Sequence, residues 1–461
     1  MRKNRRRYNQ LIAVNLIEKM KQFEQNPPPI KGFTISRMQY LIHLILSHKQ
    51  DNHPGSYSLL HMPYLLNMVP ESHKYLNFLK DENIIEWVNH SAGRNSRMYR
   101  LVDEGKTEYR IIIDKKLIRR IEQTRLNIKK QNSRKYPELN HYIHQVRINS
   151  TAALKTVESE YYKNLKSDPS KAEGRRTFSL SEIEKIQSGE IYIKCNRTNG
   201  RLDSNYTRLP GELLQHLTID GKLLTELDIC NSQPFFAASL LNPTAEVNQL
   251  ISKFSTNSLT MLAKSLQISE CNDVKLYTQL VTNCNFYDPF LMQKCREYKI
   301  PIKSRDELKE QLFIIYFGKN GVDKYNNAAK LFKMIFPNVY NLFKAIKEDN
   351  HNQLAILLQR LESYTMLERV AQKILIDLPG LPFITIHDSL LPSGIMVIDQ
   401  ENTVKEIMLS TIKEVTGLTP VIRIKNGTEK TQIRPRSLLT YNLTNLSIYL
   451  LLLISMLGFP L

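Results

Sequence analysis

The chain of 461 residues has no CxxC pair; its five cysteines, Cys195, Cys230, Cys271, Cys284 and Cys295, are scattered. An odd, dispersed set argues against both a disulfide framework and a zinc ribbon, and fits a reducing compartment. There is no GxxxxGKS/T, which argues against a P-loop ATPase, no YxDD of the reverse-transcriptase type, and no internal repeat. The start, MRKNRRRYNQLIAVNLIEKM, is basic and then apolar. Its apolar stretch, Leu11 to Ile17, is short, is broken by Asn15 and lacks a small-residue cleavage site. It reads as a basic amphipathic helix. The expected location is cytoplasmic (mitochondrial or mobile-element associated in a eukaryote), and not secreted.

Hydrophobic residues make up 42% and charged residues 24%, a globular balance. Lys and Arg number 64 against 45 Asp and Glu, a formal charge of +19. Residues 1–150 hold 27 basic against 13 acidic side chains, so most of the excess lies there. Such a surplus suggests a polyanionic partner, nucleic acid or an anionic membrane surface. From Ser437 to Leu461 no residue is charged, and the end runs SIYLLLLISMLGFPL. A spanning helix needs about 20 apolar residues. Here Asn442, Thr444, Asn445 and Ser447 dilute the first part, so a docked tail is preferred to a membrane contact.

The length suggests roughly three domains at about 150 residues each. In 33–110, apolar helical stretches at RMQYLIHLIL and SLLHMPYLLNMV precede IIEWV and MYRLV, two β-like runs around the turn-rich, basic SAGRN. Helices followed by a basic hairpin resemble a winged helix-turn-helix, which lays a helix in the major groove and a wing on phosphates. A helical adaptor is the alternative. Residues 111–175 are mostly helical and strongly basic, and 176–435 alternate β-like and helical runs, an α+β pattern. The expected division is 1–110, 111–180, 181–435 and the apolar tail 436–461.

Three segments carry candidate chemistry. Asp228 lies near the end of the strand-like LLTELDIC, just before a helix that Pro234 can open. A carboxylate at such a junction is placed to hold a metal, or simply to cap the helix. In PFITIHDSLLP, His387 and Asp388 sit at a turn between two apolar strands. A charge amid so apolar a run costs several kcal/mol unless paired or metal-bound. In SRDELKEQLFIIYFGK, Arg305, Lys309, Phe313 and Phe317 follow at i+4 steps along one helical face, and Gly318 ends it. Arg and Lys match phosphate oxygens, and the rings can stack on a base. An amphipathic helix with core Phe residues is the plain alternative.

In this order the three segments resemble motifs A, B and C of the family A nucleic-acid polymerases. That superfamily holds the repair-type DNA polymerases and the single-subunit phage and mitochondrial RNA polymerases. Motif B runs Arg-x3-Lys-x3-Phe-x3-Tyr-Gly; here Arg305, Lys309, Phe313, Phe317 and Gly318 match it, with Phe for Tyr. Motif C matches His387-Asp388, and motif A matches Asp228. NGRLDSNYTRLP is similar to the family's Gly-Arg-Leu segment and nominates Arg201 for the primer. AAKLFKMIFPNVYNLFK resembles its Phe/Tyr-Pro-x-Val segment. LLQRLESYTMLERV stands where a template- and primer-contacting helix lies, nominating Gln359. The resemblance covers about residues 190–428.

It implies a right-hand fold: a palm with an antiparallel sheet, helical fingers and a thumb preceding the palm in 111–175. It implies two Mg²⁺ ions on Asp228 and Asp388. Arg305 and Lys309 grip the triphosphate, Phe313 and Phe317 pack on the nascent base pair, and His387 lies near the primer terminus. The partners are a DNA primer-template and dNTPs. The stretch between motifs B and C is shorter than in the common DNA enzymes, so the fingers are expected to be reduced. Gln233 stands where those enzymes carry a Glu that gates the 2′-hydroxyl, while Ser389 is closer to the RNA enzymes. The reading favours a DNA polymerase. Residues 1–175 show no acidic exonuclease motifs, so proofreading is not expected. A single-subunit RNA polymerase or primase is the first alternative, and a non-catalytic DNA-binding replication protein the second.

Overall fold

The computed structural model describes residues 8–48, 57–88, 97–132, 135–255, 258–394 and 398–425. The basic turn SAGRN and the apolar tail from Ser437 lie outside the described residues. Helices dominate, joined to small antiparallel sheets. No described helix is long and apolar enough to cross a membrane.

The front of the chain closes on itself. Asn9–Ala13 pairs antiparallel with Thr107–Ile111. The helix expected at the start is therefore preceded by a strand, and helix proper begins only at Ile17. The reason is burial: Leu11 is fully enclosed and Ile12 nearly so, and extended pairing hides these apolar residues more completely than a surface helix would. Within this loop a three-stranded sheet has Arg97–Leu101 at its centre, flanked by Ser58–Leu60 and Ile85–Val88. The SLLHMPYLLNMV segment thus divides into a strand, Ser58–Leu60, and a short helix, Met62–Met68, with Pro63 in its first turn. Helices Ile35–Ser47 and Ser72–Asp81 pack beside this sheet and bury Leu41, Leu44, Tyr75 and Leu79.

Helix Pro169–Ser188 joins this front part to the rest. Almost all of 179–188 is buried, including three charged side chains. Each charge is matched: the Glu184 carboxylate accepts from the Asn9 backbone N and Nδ2, and Lys185 Nζ reaches Glu182 and the Ser47 carbonyl. Unmatched, such groups would cost several kcal/mol each.

Four strands, in the order Phe383–Ile386, Ser389–Pro392, Glu226–Ile229 and Ile422–Lys425, form one antiparallel sheet. Asp228 is opposite Ser389 on one side and Arg423 on the other. Alternation explains the faces. Leu227 and Ile229 are buried, whereas Glu226, Asp228, Arg423 and Lys425 stand on the wetter side. Helices from Ala245 to Asp377 pack around a buried aromatic group of Tyr277, Phe286, Phe332, Phe336 and Phe343.

The cysteine pattern is one point of correction. Cys230, directly after the Asp228 strand, and Cys284, beyond helix Asn272–Thr282, form a disulfide with Cα atoms 5.7 Å apart. Cys195, Cys271 and Cys295 are free. Residues 54 apart in sequence meet because that helix packs against the helix following Asp228, a contact that no spacing rule contains.

Candidate active site

The Asp228 strand ends at Ile229, and Asn231 turns the chain in a left-handed conformation (φ 56°) into helix Ser232–Ser239. His387 makes the other turn, also left-handed (φ 52°), between strands Phe383–Ile386 and Ser389–Pro392. Ser389 links the two, since its hydroxyl lies 3.0 Å from both Asp228 Oδ1 and Glu226 Oε1. Asp228 and Asp388 thus belong to neighbouring parts of one sheet.

Three carboxylates crowd this point. Glu362, 1% exposed, comes from helix Gln353–Ser363 and faces Ser232 and Gln233 at the start of the helix that follows Asp228. Burial, then the charges of Glu362 and Asp228, push the Asp388 carboxyl up to about 8. Burial also raises Glu362, against the opposing pull of Arg201. Asp228 is relieved from outside, by Lys425 Nζ at 3.0 Å from Oδ2.

Arg201 holds Glu362 with both arms of its fork, Nε to Oε1 at 2.8 Å and Nη2 to Oε2 at 2.9 Å. Its loop docks on the same helix. Asn199 Nδ2 donates to Gln359 Oε1 at 3.2 Å, and Ser363 Oγ to the Asn199 carbonyl at 3.0 Å. Gly200 (φ +77°) permits this contact, because an added Cβ would lie 2.6 Å from Ser363 Oγ. Arg201 and Gln359 therefore share one wall. The His387 ring is pushed down to about 4 by burial and then by Arg201, and its Nδ1 is buried without a partner. It borders a cavity of about 1040 Å³ that Tyr64, Arg147, Tyr192 and Arg208 also line.

Gln233 is buried and its Nε2 donates to Glu362, leaving Oε1 without a partner. Ser232 Oγ also faces Glu362, at 3.5 Å.

Helix Arg305–Phe317 begins at Ser304, whose hydroxyl accepts from the Glu307 N–H. Leu308, Leu312, Ile315 and Tyr316 are its buried face, while Arg305, Lys309, Phe313 and Phe317 form a half-exposed stripe. The two Phe rings meet edge to face at 5.5 Å, and Lys309 Nζ lies 5.3 Å from the Phe313 ring centre. The ends are pinned. Arg305 Nη2 reaches Asn231 Oδ1 at 3.3 Å, which ties the stripe to the residue three beyond Asp228. At the other end the buried Lys347 ammonium donates to the Ile315 and Gly318 carbonyls, where the helix dipole favours a cation. Burial lowers this lysine to about 8.

Glu362, Lys425 and Arg423 escaped the sequence reading. Each left a trace: a lone acid amid the leucines of LLQRLES, and a period-two IRIK whose cations share a face.

Among the described residues no group of three or more His, Cys, Asp or Glu side chains is arranged as a metal site. The donors nevertheless suit a hard cation. Mg²⁺ takes few carboxylates, and a dication bound there would relieve the repulsion around Asp388.

No family model matches the chain, and no curated protein does. Among solved structures, the chain is similar to the POL domain of Pol1 from M. smegmatis in complex with DNA primer-template and dNTP. The identity is 12% and the TM-score 0.33, over 67% of this chain and 71% of that one. A likeness at that level leaves fold and activity to be argued from the residues themselves.

Proposed function

We propose that the chain is a template-directed nucleotidyltransferase, a DNA polymerase that adds dNTPs to a primer 3′-hydroxyl without proofreading. One observation carries the reading. Asp228 and Asp388 converge on one antiparallel sheet, and the Arg305–Lys309 helix is tied by Asn231 to the same strand end. The sheet is read as the palm, helices of 181–435 as the fingers, the basic helices of 111–180 as the thumb, and 1–110 as a winged-helix-like unit.

Asp228 and Asp388 would hold two Mg²⁺ ions. When bound, these supply activation of the primer hydroxyl and neutralisation of the leaving pyrophosphate. The chain's own residues do the rest. Arg305 and Lys309 bind the triphosphate by charge and fork geometry. Phe313 and Phe317 offer their edges and faces to the nascent base pair. Arg201, His387 and Gln359 line the approach of the primer and template, and Gln233 stands beside the sugar. Glu362 positions Arg201 and Gln233 together.

The test is extension of primed and unprimed templates with dNTPs or NTPs and Mg²⁺. Asp388→Asn should abolish extension while primed DNA still binds; near-normal extension would sink the reading. One observation favours a second reading, a single-subunit RNA polymerase. The unpartnered Gln233 Oε1 is a ready acceptor for a 2′-hydroxyl.

A further inference from the structure

Strand Ile422–Lys425 brings two cations to the Asp228 strand that the resemblance does not use. Lys425 Nζ bridges Glu226 Oε1 at 2.9 Å and Asp228 Oδ2 at 3.0 Å. It thus occupies the carboxylate oxygen on which a divalent cation would act. Arg423, opposite Asp228 in the register, donates from Nη2 to Cys284 Sγ at 2.7 Å, a weak acceptor for a guanidinium. Arg305 is close enough to repel it. Beside them, Asn231 Oδ1 accepts from Arg305 Nη2, while its buried Nδ2 has no partner. Two guanidiniums and an orphan amide donor make a donor-rich corner, in which the Asp228 carboxylate attracts Arg423 but is itself engaged by Lys425. A buried donor left unmade costs about 1–3 kcal/mol, so the corner is built for an oxyanion.

We propose that Arg423, Lys425 and Asn231 form a polyphosphate subsite opposite Arg305, and that Lys425 enters it when a divalent cation displaces its ammonium from Asp228. This rests on the nucleotidyl-transfer reading and adds a second cationic wall to it. Lys425 is the counter-ion of Asp228 before the metal binds. Afterwards the same ammonium swings to the phosphate oxygens, and Arg423 exchanges a disulfide sulfur for an oxyanion. The subsite would hold the β and γ groups of the incoming nucleotide and then the departing pyrophosphate.

Lys425 meets two opposite demands. Lys425→Gln removes a competitor for Asp228, so Mg²⁺ should half-saturate the full chain at a lower concentration, read as the thermal shift without nucleotide. The same variant should bind magnesium pyrophosphate about tenfold more weakly by calorimetry. Arg423→Gln should weaken pyrophosphate by a similar factor, and Lys425→Arg should restore the pyrophosphate affinity. A merely structural role would move both affinities of Lys425→Gln in the same direction. Unchanged pyrophosphate binding in Lys425→Gln and Arg423→Gln, or weaker Mg²⁺ binding in Lys425→Gln, would overturn the proposal. If the wild type extends primers while either result holds, only the subsite falls. If Asp388→Asn extends normally, the nucleotidyl-transfer reading falls with no bearing on the pyrophosphate measurements.

Discussion

Glu362 and Arg201 form a two-pronged ion pair across 161 positions of the chain, and Gln233 donates to the same carboxylate. This makes Glu362 the anchor for one primer-facing and one sugar-facing candidate. Removing one partner of a buried pair leaves the other charge uncompensated, at about 3–5 kcal/mol. Glu362→Ala should therefore lower unfolding stability by about 3 kcal/mol in urea titrations. Glu362→Gln should cost less and bring the Asp388 carboxyl down, since one of the two nearby charges that raise it is gone. A loss below 1 kcal/mol for Glu362→Ala would show that the pair is not formed in solution.

The Asp388 carboxyl sets a pH dependence of definite sign. Its ordinary value is 3.8, and in the folded chain it is pushed up to about 8. Between those values the folded state holds a proton that the unfolded state has lost. Its contribution is fully present below pH 3.8 and is lost as pH rises through about 8. The limiting slope for one proton is about 1.4 kcal/mol per pH unit. Without Mg²⁺, wild type should lose stability toward pH 8 relative to Asp388→Asn. Added Mg²⁺ should raise the wild-type Tm more at pH 8 than at pH 6, because it competes with the proton. Equal Mg²⁺ shifts at both pH values would rule out Asp388 as a ligand.

Sugar choice is expected to turn on Gln233. If its side chain fills the space a 2′-hydroxyl needs, the wild type prefers dATP over ATP, and Gln233→Gly admits ATP with little loss of dATP use. If the free Oε1 accepts from the 2′-hydroxyl instead, the wild type prefers ATP, and the glycine variant loses that preference by about 1–3 kcal/mol. The ratio of kcat/KM for dATP and ATP in both proteins decides. The steric outcome is the expected one.

The front of the chain should supply much of the salt-sensitive nucleic-acid affinity. Deleting it is a poor test, since Asn9 and Ser47 match the buried charges of helix Pro169–Ser188. Helix Lys115–Asn132 offers a cleaner one, because Lys115, Lys116, Arg119 and Arg120 are exposed. Arg119→Gln with Arg120→Gln should flatten the slope of log K against log salt by about 0.9 per lost phosphate contact. An unchanged slope would remove this helix from the nucleic-acid surface.

The local devices are legible along the chain. Alternation in ELDI and the short apolar run FITI mark strands, the i+4 series marks one face of helix Arg305–Phe317, and His387-Asp388 between apolar runs marks a turn. These depend on periodicity and on the cost of an isolated charge, which neighbours along the chain already fix. The basic start reads as a helix along the chain, yet whether Leu11 and Ile12 form a helix or a strand depends on Thr107–Ile111, almost a hundred residues away. The Cys230–Cys284 bond, the Glu362–Arg201 pair and the Lys425–Asp228 contact are of the same kind. Each joins segments remote in sequence, and each exists only because packing of the helices and register of the sheet bring side chains within reach. Periodicity sets which face a residue occupies, and tertiary packing alone decides what that face meets.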